Sequence, residues 1–247
     1  MAIIPAPARD MSLEVNAGIL KKPNWIMTNN FDQIRDLLKF ESDYFYFIQI
    51  IQRKKENSEL GSNNRIIRSY NISSLEKFDK NKDEIIKLCE TFNARAYIHL
   101  NRRKWRKIAL ECLRHNAELI ANEQYEGIKS SFETIIGRNN SEPYNTKTWI
   151  VDIDTKDEII IHRIAHIIDT AMQPEGPKII TCIPTKNGYH LITKKFDTDA
   201  FNKYLSLQGD IPEIHKDNPT ILYAIWKHLK TFLKKHIYSK YSSLDGH

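Results

Sequence analysis

The chain has 247 residues, 41% of them hydrophobic and 28% charged, the balance of a globular protein with a core of its own. Three scattered cysteines without a C-x-x-C pair exclude a disulfide framework and fit a reducing, cytoplasmic setting. No basic-then-apolar leader opens the chain and no apolar run approaches the ~20 residues of a membrane span, so no membrane partner is expected. The net charge of +6 favours an anionic partner such as nucleic acid or nucleotide. Neither G-x-x-x-x-G-K-[ST] nor G-x-G-x-x-G occurs, which counts against P-loop and Rossmann sites.

Residues 1–42 read as an N-terminal arm and a short helix. Pro5, Pro7 and Pro23 interrupt any period up to about Thr28. Phe31, Ile34, Leu37 and Leu38 then have helical spacing, with Asn29 or Asn30 to cap. Residues 43–145 read as an N-terminal α/β module. Asp43–Arg53 (DYFYFIQIIQR) is dense in aromatic and β-branched residues and predicts a strand. Arg65–Asn71 is its hairpin partner across the polar stretch Lys54–Asn64. Ser73 or Ser74 caps a helix to about Thr91, with Phe78, Ile85 and Leu88 on its apolar face. Ala94–Leu100 (ARAYIHL) is a third strand, running through Asn101-Arg102-Arg103 into a helix that ends near Ala121. This alternation argues for an α/β layer. From Asn122 to Lys147 the pattern weakens, and Gly137 to Pro143 mark a flexible crossover.

Residues 146–247 read β-α-β-β-α-β with a C-terminal helix, the order of a ferredoxin-like, RRM-like split unit. The elements are Trp149–Asp154 (WIVDID), a helix Asp157–Ala171, a hairpin of Lys178–Ile183 and Tyr189–Thr193, a helix Asp197–Leu207 and a short strand in Gly209–His215. Pro219 to about Lys235 reads as a closing helix, with Leu222, Ile225, Trp226 and Leu229 as its stripe. The whole is an α+β protein.

The stretch WIVDID ends in two carboxylates one residue apart. Alternate side chains of a strand share a face, so Asp152 and Asp154 point the same way. Such a pair is either a solvated strand end or a seat for a cation such as Mg²⁺, held by one or two carboxylates and substrate phosphates. The turn Lys186-Asn187-Gly188 offers backbone amides and a cation to a phosphate, and His190 follows where the strand leaves it. Asn101, Arg102 and Arg103, with Arg95 before them, are the best further candidates for phosphate or template contacts, set at a strand-to-helix junction. Arg53-Lys54-Lys55 is a weaker basic cluster. His162 and His166 have zinc-ligand spacing but lack the Glu and further ligands of such a site.

Asp152-x-Asp154, then Thr185-Lys186-Asn187-Gly188-Tyr189-His190, then an acid on a later short strand, resemble the three-motif core of the archaeo-eukaryotic primase superfamily. That superfamily includes primase small subunits, primase-polymerases and phage and plasmid replication primases. The resemblance spans about Asp43 to Tyr223 and implies two-metal nucleotidyl transfer on a DNA template, with nucleoside triphosphates and Mg²⁺ or Mn²⁺. It implies that Asp152, Asp154 and Glu213 hold the metal ions and that His190 contacts the triphosphate, with Lys186 nearby. Asp210 and Asp217 are the alternatives to Glu213. The family usually has Asp at this place, and a second Gly where this chain has Asn187. A separate replicative helicase is the implied partner. The runner-up is a non-catalytic member of the same fold, a nucleic-acid- or nucleotide-binding factor acting on replication or, for a phage, on host defence. A third reading is an interaction protein in which D-x-D is incidental.

Overall fold

The aromatic run predicted as the first strand of the α/β module is the centre of a five-stranded sheet. The computed structural model describes residues 25–206 and 211–227. In it Tyr44–Gln52 forms β2, which pairs antiparallel with β3 (Arg65–Ile72) on one side and β4 (Arg95–Lys104) on the other. β3 and β4 therefore run parallel, with β2 between them. The helix joining them, α2 (Leu75–Phe92), crosses β2 and buries Phe78, Ile85 and Cys89. Ser74 starts α2 by accepting the Lys77 N–H on its hydroxyl, and Asn93 ends it in the left-handed region with its N–H on the Cys89 carbonyl.

Three expectations change in this half. Trp25–Asn29, expected within the arm and cap, forms β1, followed by α1 (Phe31–Arg35). The third strand does not stop at Leu100 but carries Asn101, Arg102 and Arg103 inside β4. The stretch read as a flexible crossover holds a 3₁₀ segment at Tyr125–Ser130 and α4 (Ser131–Arg138), after α3 (Trp105–Ala121). Ile135 and Ile136 of α4 pack with Phe45, Phe47 and Ile108. Burying one such side chain is worth about 1.5–3 kcal/mol, enough to order a short helix whose sequence alone carries little periodicity.

The second sheet contains β5 (Trp149–Ile153), β6 (Ile179–Pro184), β7 (Tyr189–Thr193) and β8 (Glu213–His215). Its order is β6-β7-β5-β8, antiparallel at each step. α5 (Glu158–Ala171) connects β5 to β6, and α6 (Thr198–Ser206) follows β7. One face of the sheet meets these helices: Val151, Ile153 and Leu191 pack with Ile161, Ile164, Ile168, Phe201 and Leu205. The alternating residues Ile150, Ile183 and Ile192 join the core of the first sheet, beside Ile48, Ile98 and Leu222. Asp152 follows the parity of Ile150, so it projects from this second face at the end where the apolar packing stops.

The predicted closing helix is corrected. Thr220–Lys227 is β9, and it lies between β1 and β4 in the first sheet. Ile221 to Trp226 are all buried. A central strand has no solvent face, so it reads as an unbroken apolar run and cannot be told from a buried helix by period. Residues 228–235 of the expected helix lie outside the described residues. Because β9 returns to the first sheet, that sheet draws on both sides of the expected boundary at 145/146, and Ile26–Trp226 cluster as one unit. The protein is α+β, with two antiparallel sheets. No helix among the described residues is long and apolar enough to cross a membrane.

Candidate functional site

Strand register brings the chemistry-bearing residues of the second sheet together. Asp152 stands opposite His190 of β7 on one side and opposite Glu213 of β8 on the other. Directly opposed residues of antiparallel strands share a face with β-carbons about 5 Å apart. His190 Nε2 lies 3.4 Å from Asp152 Oδ1, and His190 Nδ1 lies 2.9 Å from the Thr220 hydroxyl of β9. Bonding to His190 holds the Asp152 carboxyl below the usual carboxylate range, against an opposing push from burial, with the charges of His190 and His215 adding to the depression. Asp154 sits just past the end of β5, exposed and on the same side.

The turn from β6 to β7 closes on itself. The Thr185 N–H donates to the Gly188 carbonyl at 2.8 Å, and the Gly188 N–H donates to the Thr185 hydroxyl at 3.2 Å. It also presses against the end of β5. A β-carbon built on Gly188 would overlap the carbonyl oxygen of Ile153 and come within 2.7 Å of the Thr155 amide nitrogen. Glycine is thus required where the turn bearing Lys186 and Asn187 is seated against the strand bearing Asp152 and Asp154.

These groups line one cleft of about 490 Å³. The second sheet supplies Asp152, Asp154, Lys186, Asn187, His190 and His215, and the first sheet faces them with Arg53, Arg95, Tyr97 and Trp226. The Arg95 guanidinium lies 4.0 Å from the centroid of the Trp226 ring, and Lys186 Nζ lies 5.2 Å from it. Arg95 also pairs with Glu56, and burial lowers its pKa. Asp152 and Asp154 with Lys186 on one wall, and Arg53 and Arg95 on the other, suit a ligand that is itself anionic and carries a divalent cation.

Arg95 is where the sequence placed it, in the basic region of the third strand, and the weaker Arg53 is beside it. Asn101, Arg102 and Arg103 are not. All three are buried within β4 and their donors are spent inside the protein. The Asn101 side chain clamps the backbone of Thr148, donating to its carbonyl at 2.9 Å and accepting its N–H at 2.8 Å. Arg102 makes a two-pronged pair with Glu142 at 2.8 and 2.9 Å and a third bond to Glu41, and the Glu142 bond raises its pKa. Arg103 is 0% exposed and donates to Asp217 and to the carbonyls of Ile136 and Asn101. The strand runs four residues past its expected end at Leu100, to Lys104, which turns a supposed helix start into core. Trp226 and Thr220 escaped notice for the reverse reason, because β9 reads as a helix.

The third acid resolves in part. Glu213 is the residue opposite Asp152, but its side chain is 80% exposed and lies 3.4 Å from His215. Asp217 is committed to Arg103 and Asn101. Asp210 lies outside the described residues. Among the described residues no group of three or more His, Cys, Asp or Glu is arranged to hold a metal ion. Asp152 and Asp154 offer hard oxygen donors in a cleft with room for phosphates, which is the donor set that suits Mg²⁺ when substrate completes the shell.

Compared with models of known families, with curated proteins and with solved structures, the chain matches none.

Proposed function

We propose that this chain is a nucleotidyltransferase of the primase-polymerase type, using a DNA template, nucleoside triphosphates and Mg²⁺ or Mn²⁺ in the replication of a phage or mobile element. The observation that carries the proposal is the single cleft in which Asp152, Asp154, Lys186 and His190 meet Arg53 and Arg95. The order β6-β7-β5-β8 with its two connecting helices supports reading this half as an RRM-like catalytic module.

Asp152 and Asp154 would hold the divalent ion, which when bound supplies charge neutralisation at the triphosphate and at the attacking oxygen. Lys186, Arg53 and the backbone amides of Lys186 and Asn187 in the turn bind and orient the phosphates. His190 is oriented by Thr220, so its Nε2 stays aimed at Asp152 and the cleft. In the transfer the acceptor 3′-oxygen bonds to the α-phosphorus and the bond from α-phosphorus to the β-bridging oxygen breaks. Pyrophosphate leaves, and the hydroxyl proton passes to water.

A template-dependent assay with labelled nucleotides and Mn²⁺ tests this. Wild type should give primer or extension products, and Asp152→Ala/Asp154→Ala should give none. Equal product from both, or product from neither, ends the enzymatic reading. The exposed side chain of Glu213, with no third ligand converging among the described residues, favours a second reading, a factor that binds nucleotide or nucleic acid without turnover. Triphosphate binding with no product from the wild type would select it.

A further inference from the structure

α3 turns an apolar stripe away from the protein. Its inward side carries the buried Ile108, packed with Phe45, Phe47, Ile135 and Ile136, and the half-buried Cys112. On the opposite side Leu110, Leu113 and Ile120 are 57, 68 and 53% exposed, with exposed Ala117 between the last two. The steps from 110 to 113, 117 and 120 alternate three and four residues, the period with which one helix packs along another. A single exposed leucine is ordinary, but a continuous row at this period marks an interaction surface. The charges of α3 choose the partner. Arg106 and Lys107 stand in a first turn that holds no acid, and the last turn holds no base. Glu118, with Glu123 and Glu126 just past the helix, makes the other end acidic, and all three are exposed. Both signs oppose what the helix's own dipole favours. A second α3 lying antiparallel answers both, because its acidic end meets Arg106 and Lys107 while the two dipoles oppose. Arg106 pairs with no carboxylate among the described residues, and it lies in line with the stripe.

We infer that two copies of the chain associate through this face, α3 against α3 and antiparallel. The spacing is complementary to itself. A two-fold axis at the level of His115 sets Leu110 against Ile120 of the copy and Leu113 against Ala117, large against small. Arg114 falls beside its own copy, with its charge already met by Glu111 and Glu118 of the same helix at 3.0 and 2.6 Å. None of these residues lines the cleft of Asp152 and Asp154, so the inference stands apart from the nucleotidyl-transfer reading.

Sedimentation equilibrium of the full chain over a range of concentrations tests this. Wild type should pass from monomer to dimer as concentration rises. Leu113→Asp should weaken association on the order of a hundredfold, because each dimer would bury two carboxylates in its seam. Its circular dichroism and urea midpoint should match wild type at concentrations where both are monomers, since Leu113 is exposed in the single chain. Leu110→Lys, exposed likewise, is the second variant should the first fail to fold. Arg106→Glu should weaken the dimer a few-fold, as for exposed ion pairs, and Arg106→Glu/Glu123→Lys in the same chain should recover the loss. In a parallel pair like ends would meet, and the double variant would not recover. A wild type that stays monomeric up to the hundred-micromolar range overturns the inference. So does a dimer that Leu113→Asp and Leu110→Lys leave intact, and failure of the charge exchange to recover association overturns the antiparallel pairing.

Discussion

Asp217→Ala removes the carboxylate that, among the described residues, is hydrogen-bonded to the fully buried Arg103. In the native structure Asp217 Oδ1 and Oδ2 lie 3.3 and 3.2 Å from the guanidinium, and the Asn101 amide adds a contact at 3.3 Å. After the change Arg103 retains the carbonyls of Ile136 and Asn101, at 2.9 and 2.6 Å, and no directly bonded carboxylate among the described residues. Breaking a buried pair from one side costs about 3–5 kcal/mol, because the remaining charge stays desolvated. Asp217 is itself 22% exposed, so water can enter the vacated place and the cost should fall at the lower end, about 3 kcal/mol. Urea unfolding followed by circular dichroism would read this as a lower midpoint at unchanged slope. Removing both partners, as Arg103→Met/Asp217→Leu, should cost less than Asp217→Ala alone. A loss below about 1 kcal/mol for Asp217→Ala would refute the account, since it would mean that Arg103 is solvated or satisfied without its acid.

Gly188→Ala should cost on the order of 1–3 kcal/mol, because the colliding group is backbone and the turn must lift off β5. Triphosphate binding should fall with it; wild-type stability and binding together would show that the turn is not seated on the strand. The buried network also predicts a pH dependence. His99 Nδ1 lies 3.1 Å from the Asp217 carbonyl and 3.0 Å from Arg103 Nη2, so it can accept from the guanidinium only while the ring is neutral. Burial, and then the Arg103 cation, push its pKa from 6.5 down to about 4. The depressed value makes stability full above 6.5 and progressively lost as pH falls toward 4, by on the order of 3 kcal/mol in total. His99→Gln should flatten the slope of unfolding free energy in that window, and an unchanged slope would rule out His99 as its source.

What could be read from the sequence tracks how local its cause is. Asp43–Arg53, Trp149–Ile153 and the 178–193 hairpin were legible because β-branched runs and a Pro-to-Gly turn set them without help from distant residues. The meeting of Asp152 with His190 followed from the hairpin's place in the sheet. The burial of Arg102 and Arg103 was not legible. Their partners Glu142 and Asp217 are far along the chain, and an arginine at a strand end reads the same whether it faces solvent or a buried carboxylate. β9 failed for lack of a solvent face, and with it went the roles of Thr220 and Trp226. α4 failed because its buried pair, Ile135 and Ile136, is too short a signal to outweigh Gly137 and the polar residues beyond it.

The stretch from Glu213 to Thr220 explains why a site between two sheets can be held by so few contacts. Glu213 pairs across β5 from Asp152 in the second sheet. Asp217 anchors the crossing on Arg103 and Asn101 of β4. Asn218 and Pro219 line the cleft, and Thr220 enters the first sheet with its hydroxyl on His190. One crossing therefore sets the distance between the carboxylate wall and the cationic wall, and it does so through a buried ion pair rather than through the ligands themselves. Damage should consequently pass in one direction. Loosening the Arg103 anchor moves Thr220, and with it His190, so ligand binding suffers along with stability. Removing Asp152, which is half-buried at the sheet's open end and is bonded chiefly to His190, empties the site while the anchor and the two cores stay in place.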